Sequence, residues 1–424
     1  MKKATGLLVF LIIYIPSLMA QFSISADISP RAELRHGYRV LPQEGEKAAI
    51  LVSQRTRLNL AWKSENLRTH ISFQDVRVWG QEGQRQVHPS LAIHEAWAEL
   101  LFTDSLTLKI GRQHLRYDNQ RFFAINDWIP MGQKHDVALL KYISEAGELH
   151  FGTAFNQPPE AFQRNFTTDY GINNYKYMNY IWFNTDINPD ANLSLMGVAD
   201  GHEFNDGAQY NPELMYVRGT WSAFLKYDAG TVNLMVNPAF QHGRHRTGQS
   251  ISAWYLRAEA AAPTLENVTT TAGFEIFSGN DATDAADDKY RAFDALYGAG
   301  HAHLGFMDYF TLIPQHTRNA GLINPFLKNR FILSDNTFMD ADLHLFFIQN
   351  NFVYQEETIS KYLGTEIDLT LNYRFNNFTR IIGGFSWMFG SESMEIINRG
   401  ATRGSKEEPA YFAYIMLRIR PKFL

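Results

Sequence analysis

Residues 22–34 read FSISADISPRAEL, and the order of these residues decides the fold. Phe22, Ile24, Ala26, Ile28, Pro30, Ala32 and Leu34 fall on one face; Ser23, Ser25, Asp27, Ser29, Arg31 and Glu33 fall on the other. Only a period of two sorts them this way, which describes a β-strand with one apolar and one wet side. Strands of soluble sheets commonly run about 5–6 residues. A tilted strand crossing a bilayer needs roughly 9–11, and this run is long enough. The competing reading is a secreted β-sandwich or β-helix.

The ends and the composition favour the membrane. Lys2 and Lys3 precede the apolar run GLLVFLIIYIP, and SLMA ends in a small residue before Gln21. This predicts a signal peptide over residues 1–20, removed after Ala20, leaving 21–424 as one barrel domain. The chain has no cysteine, which excludes disulfides, a lipid-modified cysteine and thiolate catalysis. Its 31 Phe, 20 Tyr and 8 Trp give 14% aromatic residues, high for a soluble domain and fitting interfacial girdles. A formal charge of -5 implies no nucleic-acid partner.

The alternation recurs along the chain and predicts eighteen strands, from 22–36 to 410–424, with 106–116, 149–156, 193–200 and 214–226 among them. Short links such as KSEN, TDS, EAG, NPDA, DAG, SDN and NNF alternate with longer ones at 37–49, 80–90, 117–134, 157–175, 201–213 and 391–409. An all-β fold follows: a single transmembrane antiparallel barrel with short periplasmic turns and long extracellular loops. The last strand, AYFAYIMLRIRPKFL, closes it and carries an aromatic residue near the C-terminus, the feature that barrel-assembly machinery reads.

With the apolar face given to lipid, the other face lines a lumen. Its bases are Arg55, Arg57, Arg68, Lys109, Gln113 (a neutral donor), Arg218, Arg257, Arg374, Arg380, Arg418 and Arg420. Glu95, Glu99, Glu259, Glu275, Asp340, Asp342, Glu366 and Asp368 oppose them. In LGTEIDLTLNYRF the lipid side takes Leu363, Ile367, Leu369 and Leu371.

The stretch IGRQHLRYDNQRFF, residues 110–123, complicates the pattern. By strict alternation Arg112 shares a face with Leu106, Leu108 and Ile110. A bulge at Gly111 would switch the phase and bring Arg112 inward; otherwise Arg112 stands above the hydrocarbon. The bulge is the expectation, placing Arg112, Arg116 and Arg121 at the upper pore. The alternative role for these arginines is structural, in pairs with Glu95 and Glu99.

IGRQHLRYDNQRFFAINDW with KHDVALLKY, the later FEIFSGNDATDAADDKYRAFDALYGAGHAHLGFMDYF, and LGTEIDLTLNY together resemble the bacterial alginate export family. The resemblance implies an eighteen-stranded barrel that passes an anionic polysaccharide through an arginine-rich lumen, without chemistry or cofactor. The mixed charge of this lumen also fits a general porin of no saccharide preference. The expected partners are outer-membrane lipid, an anionic saccharide or small solute, and the assembly machinery.

Two other classes have a foothold. THISF offers His70 and Ser72 at the spacing of a barrel lipid hydrolase, although Ile71 and Phe73 claim the lipid face. NDATDAADD gathers Asp281, Asp284, Asp287 and Asp288, carboxylates of the kind Ca²⁺ takes, but without EF-hand spacing. A solvated acidic loop is the expectation there, and His242 and His245 of HGRH carry no metal assignment.

Overall fold

The computed structural model describes residues 22–86, 90–157, 174–284, 286–397 and 404–424. The expected signal peptide and most of the loop at 157–175 lie outside the described residues.

The strands follow the chain as β1 (Phe22–His36), β2 (Ala49–Lys63), β3 (Leu67–Val78), β4 (Ala92–Leu101), β5 (Leu106–Gln113) and β6 (His135–Ser144). Next come β7 (Gly147–Phe155), β8 (Tyr177–Asn188), β9 (Ala191–Asn205), β10 (Tyr210–Asp228), β11 (Asn233–Arg244) and β12 (Ser250–Leu265). Then follow β13 (Val268–Phe277), β14 (Leu322–Ser334), β15 (Thr337–Phe347), β18 (Tyr362–Asn376), β19 (Thr379–Gly390) and β20 (Ala410–Ile419). A small separate hairpin, β16 (Val353–Tyr354) with β17 (Glu357–Thr358), and a short helix, α1 (Glu392–Ile397), sit in the loops. The other eighteen strands form one antiparallel sheet, closed because β1 pairs with both β2 and β20. Closure leaves no edge whose amides lipid would have to satisfy.

The wall is polar inside and apolar outside. In β1 the buried positions are Asp27, Ser29, Arg31, Glu33 and His36, and in β2 they include Ser53, Arg55 and Arg57. Ile71, Ile110, Trp221 and Ile415 stand exposed on the outer surface. This is the distribution a lipid-embedded barrel requires.

The boundaries differ from the sequence expectation where tertiary pairing extends or ends a strand. β5 stops at Gln113, three residues early, because the chain turns into the barrel at His114. β9 and β10 run on past the expected ends, so the loop foreseen at 201–213 shrinks to residues 206–209. β20 ends at Ile419, but Pro421 and Phe423 still bond the backbone of Ala26 and Ile24.

Two bulges re-aim side chains. Between β15 and β18 the register shifts, and Leu363, expected against lipid, is fully buried inside. Between β3 and β4, Ser72 pairs with Glu95 and Phe73 with Ile93, so His94 is the extra residue and joins Glu95 on the inner side.

Two connections fold into the bore. Segment 114–134 follows β5, and segment 278–321 follows β13. They pair through Phe123 and Tyr297, where the Ala124 amide donates to the Tyr297 carbonyl (3.1 Å) and the Tyr297 amide donates to that of Phe122 (3.0 Å). Phe122, Phe123, Phe277, Phe293, Phe310 and Phe346 make an apolar interior around them. Each buried ring contributes about 1.5–3 kcal/mol.

Candidate functional site

The inner wall holds the inward segments by charge. Arg121 is buried and ion-paired to Glu275 of β13 at 2.5 Å, with Arg257 at 3.6 Å from the same carboxylate and the Tyr255 hydroxyl donating to it at 2.7 Å. Asp127 accepts from Arg55 (3.1 Å) and Arg57 (2.9 Å) of β2. Burial works against an ionised Asp127, but the two guanidinium groups outweigh it and hold its pKa below the ordinary carboxylate value. Asp118, earlier in the same segment, accepts from the Ser194 hydroxyl (2.5 Å) and the Trp182 indole (3.1 Å) and feels the Lys226 ammonium, but burial outweighs all three and pushes its pKa up. Segment 278–321 is fixed by backbone donors: the Met307 amide to Glu366 (2.7 Å) and the Phe306 amide to Asp368 (3.3 Å). His303 of this segment accepts from Arg257 (3.2 Å) and reaches the Asn119 carbonyl (3.1 Å), which ties both segments to the wall.

Below these segments, at the short-turn end, bases line up across three strands. Arg374 lies opposite Arg380, and Arg380 opposite Arg418. Arg420 follows, paired to Asp27 at 2.9 Å. Like charges directly opposite destabilise a sheet, and Arg374 is compensated by hydrogen bonds to Asn336 Oδ1 (2.7 Å) and the Asp335 carbonyl (3.1 Å) in the β14–β15 turn.

Two cavities open there. One, of ≈280 Å³, is lined by Asp27, Arg57, Asn59, Ser72, His94, Glu95, Asp127, Arg420 and Lys422 among others. The other, of ≈410 Å³, has Asn119, Asp186, Asp190, Asn192, Lys226, Asp228 and Glu259 in its lining. Segment 114–134 borders both, through Asp127 and Asn119.

The sequence-predicted bases divide by fate. Arg374, Arg380, Arg418 and Arg420 gather at the short-turn mouth, as above, whereas Arg57 is buried in its pair with Asp127 (2.9 Å). Arg68 lies 3.4 Å from Glu99, which also takes Lys141 at 2.8 Å, and Lys109 stands 3.8 Å over the Trp97 ring. Arg55, Arg121, Arg218 and Arg257 are buried in ion pairs, Arg218 with Asp200 (2.5 Å) and Asp294 (2.6 Å), Arg257 with Glu259 (2.6 Å). Asp340 and Asp342 face Arg330 (2.7 Å) and Lys328 (3.0 Å).

Three placements correct the expectation. Arg112 points outward: pairing runs unbroken from β4 through β5 to β6, and its guanidinium forms two hydrogen bonds of 2.9 Å with Asp136 on the outer face. Gly111 does have φ +123°, and a Cβ there would lie 2.3 Å from the Ala96 carbonyl oxygen, so the position requires glycine although the register does not slip. Gln113 is fully buried, donating to the Val137 carbonyl (2.9 Å), and does not line the path. Glu95 and Glu99 receive none of Arg112, Arg116 and Arg121. Glu95 instead accepts the His114 amide (3.2 Å) and lies 3.4 Å from its ring, while Arg116 is exposed.

His70 and Ser72 both face the lumen, His70 stacked on Trp97 and Ser72 buried, so a lipid hydrolase lacks its geometry here. Asp281 is engaged by Thr283 and Asn351, and Asp287 by Arg291. His242 accepts from Trp221 on the outer wall, whereas His245 stacks on Tyr290. Among the described residues, no group of three or more His, Asp or Glu side chains is placed to hold a metal ion.

His94, His114, Asp127 and Trp128 escaped sequence reasoning. The signal for the inward segments was present: a loop carrying Phe122, Phe123, Ala124 and Ile125 has too much apolar surface for open water.

The alginate export family matches residues 20–389 of the chain. No curated protein matches its sequence. Among solved structures, Acinetobacter baumannii OccAB1 is similar with a TM-score of 0.65 at 10% identity, over 95% of this chain and 97% of that one. Pseudomonas aeruginosa OpdO gives 0.63 at 10% identity, over 96% and 98%. A. baumannii OccAB2 gives 0.63 at 12% identity, over 96% and 100%. At such identities the likeness concerns the fold alone.

Proposed function

The chain belongs to the alginate export family of outer-membrane barrels, and from that premise we propose a passive channel for an anionic oligo- or polysaccharide or a related small charged solute. Residues 1–20 serve as the export leader in this reading, and the last strand engages the assembly machinery. The observation that carries it is the register Arg374–Arg380–Arg418. Three guanidinium groups on neighbouring strands disfavour the sheet but offer successive weak sites to a passing carboxylate, firm enough to attract and loose enough to release. No bond is made or broken. Transport follows the gradient.

The acidic cavity with Asp186, Asp190, Asp228 and Glu259 favours a second reading, a general porin of mixed selectivity. Single-channel recordings in planar bilayers across a potassium chloride gradient separate the two. Anion preference with current block by uronate oligomers is expected. Cation preference without such block would remove the saccharide reading and leave the general porin.

A further inference from the structure

We propose that Glu366 and Asp368 of β18 form a proton-dependent latch, which holds the inward segments across the bore and frees them in alkali. The two residues are 0% and 2% exposed, and neither has an ion pair among the described residues. Each instead accepts a backbone amide of segment 278–321: Met307 donates to Glu366 at 2.7 Å, and Phe306 to Asp368 at 3.3 Å. Buried carboxylates ordinarily sit against a cation, because an unpaired charge in a dry interior is costly. This pair hydrogen-bonds to itself. Ionised carboxylates only accept, so that bond requires one proton held between the two.

The surroundings offer no substitute for that proton. Opposite Glu366 on β15 stands His344, whose Nδ1 lies 3.1 Å from Asn324 Oδ1; opposite Asp368 stands Asp342, bound to Lys328 of β14 at 3.0 Å. The facing residues of β19, Met388 and Ser386, carry no charge. Tyr414 of β20 bonds Thr370, and Asp308 of the segment is engaged by His301, Tyr38 and Arg39. The neighbouring cations, Lys328 and Arg39, thus already have carboxylates of their own.

Release would carry through both segments. Gly305, at φ +80°, lies so close that a Cβ would stand 2.4 Å from Glu366 Oε1, so the amides approach only because this residue has no side chain. Phe306 stacks on His301 (4.5 Å), His301 stacks on Trp128 of segment 114–134 (3.9 Å), and Arg31 of β1 lies 4.0 Å over the Trp128 ring. Without the shared proton two anions stand side by side in a dry interior, and water reaches them only if the segment moves away.

Single-channel recordings in planar bilayers from about pH 8 to pH 10 test the latch. The closed pair holds one proton that the hydrated, open pair has lost, so the open-to-closed ratio should rise by up to about tenfold per pH unit, the limit for one proton. Glu366→Gln and Asp368→Asn put an amide N–H in place of the shared proton, and either should abolish the rise. Gly305→Ala, in the segment rather than the wall, should raise the open fraction already at the lower end of the range. A parent ratio that does not move with pH, a rise that survives in both amide variants, or an open fraction untouched by Gly305→Ala would overturn the latch. The recordings read gating rather than selectivity, so the latch stands or falls apart from the proposed cargo.

Discussion

The two cavities at the channel mouth both border segment 114–134 and differ in charge balance. One sets Arg57, Arg420 and Lys422 against Asp27, Glu95 and Asp127, and the other is acidic, with Asp186, Asp190, Asp228 and Glu259 against Lys226. Segment 114–134 runs between them, and its own carboxylates follow the split. Asp127 faces two guanidinium groups and is held ionised, whereas Asp118 has two neutral donors and the Lys226 ammonium, which burial outweighs in favour of its proton. A bore of uniform charge would pass ions of one sign. Under the proposed channel function, a bore with one acidic and one balanced wall would draw cations to the acidic side.

Removing the anchor of segment 114–134 is the strongest way to break this contrast. Arg121→Ala strips Glu275 of its nearest cation inside a dry interior. Breaking a buried pair costs about 3–5 kcal/mol, and the low end applies because Arg257 remains. Thermal unfolding in detergent should shift down accordingly, and single-channel conductance should rise as the segment loosens. An unchanged melting temperature would mean that the aromatic interior alone holds the segment.

Next in size comes reversal of the basic wall. Arg380→Glu with Arg418→Glu changes two charges from plus to minus. At about 1 kcal/mol per charge near 4 Å in water, the anion-to-cation permeability ratio should fall roughly tenfold or more. A reversal potential that does not move would show that permeant ions avoid that wall.

Acid gives a smaller, graded test. The Asp127 pKa lies below its unfolded value of about 3.9, so its contribution to anchoring is complete above that pH and fades as the pH falls through the folded value. The conductance difference between the parent protein and Asp127→Asn should stay constant from about pH 8 to pH 5 and change only below about pH 4. Asp127→Asn should abolish that acid limb.

The smallest effect belongs to Arg112→Met. Arg112 and Asp136 are 41% and 53% exposed outside the barrel, a surface pair contributing about 0–1 kcal/mol. Ion selectivity should not move. A change would return Arg112 to the lumen.

Arg112 and Arg121 also show how far the sequence could be read. Nine residues apart in one arginine-rich run, one ends outside the wall and the other at the heart of the bore. Alternation placed the wall faithfully, because each strand's faces are set by local period and by the contrast between lipid and water. It could not place the interior, since the partner of Arg121 is 154 positions away on β13 and no local pattern encodes that pairing. The bulges behaved alike. One was expected at Gly111, where a glycine stands in the strand, yet the register slips at His94, where nothing in the run announces it, and at Leu363, where Gly364 carried the same signal unread. A bulge depends on the neighbouring strand, and its cause is invisible in a single line of residues.

The arginine file at the mouth has a consequence for ionic strength. Most proteins held by ion pairs loosen as salt rises, because mobile ions shield the attraction. Here Arg374, Arg380 and Arg418 repel across adjacent strands, and shielding over a Debye length of about 8 Å at physiological salt relieves them. This corner of the barrel is therefore firmer in brine than in fresh water.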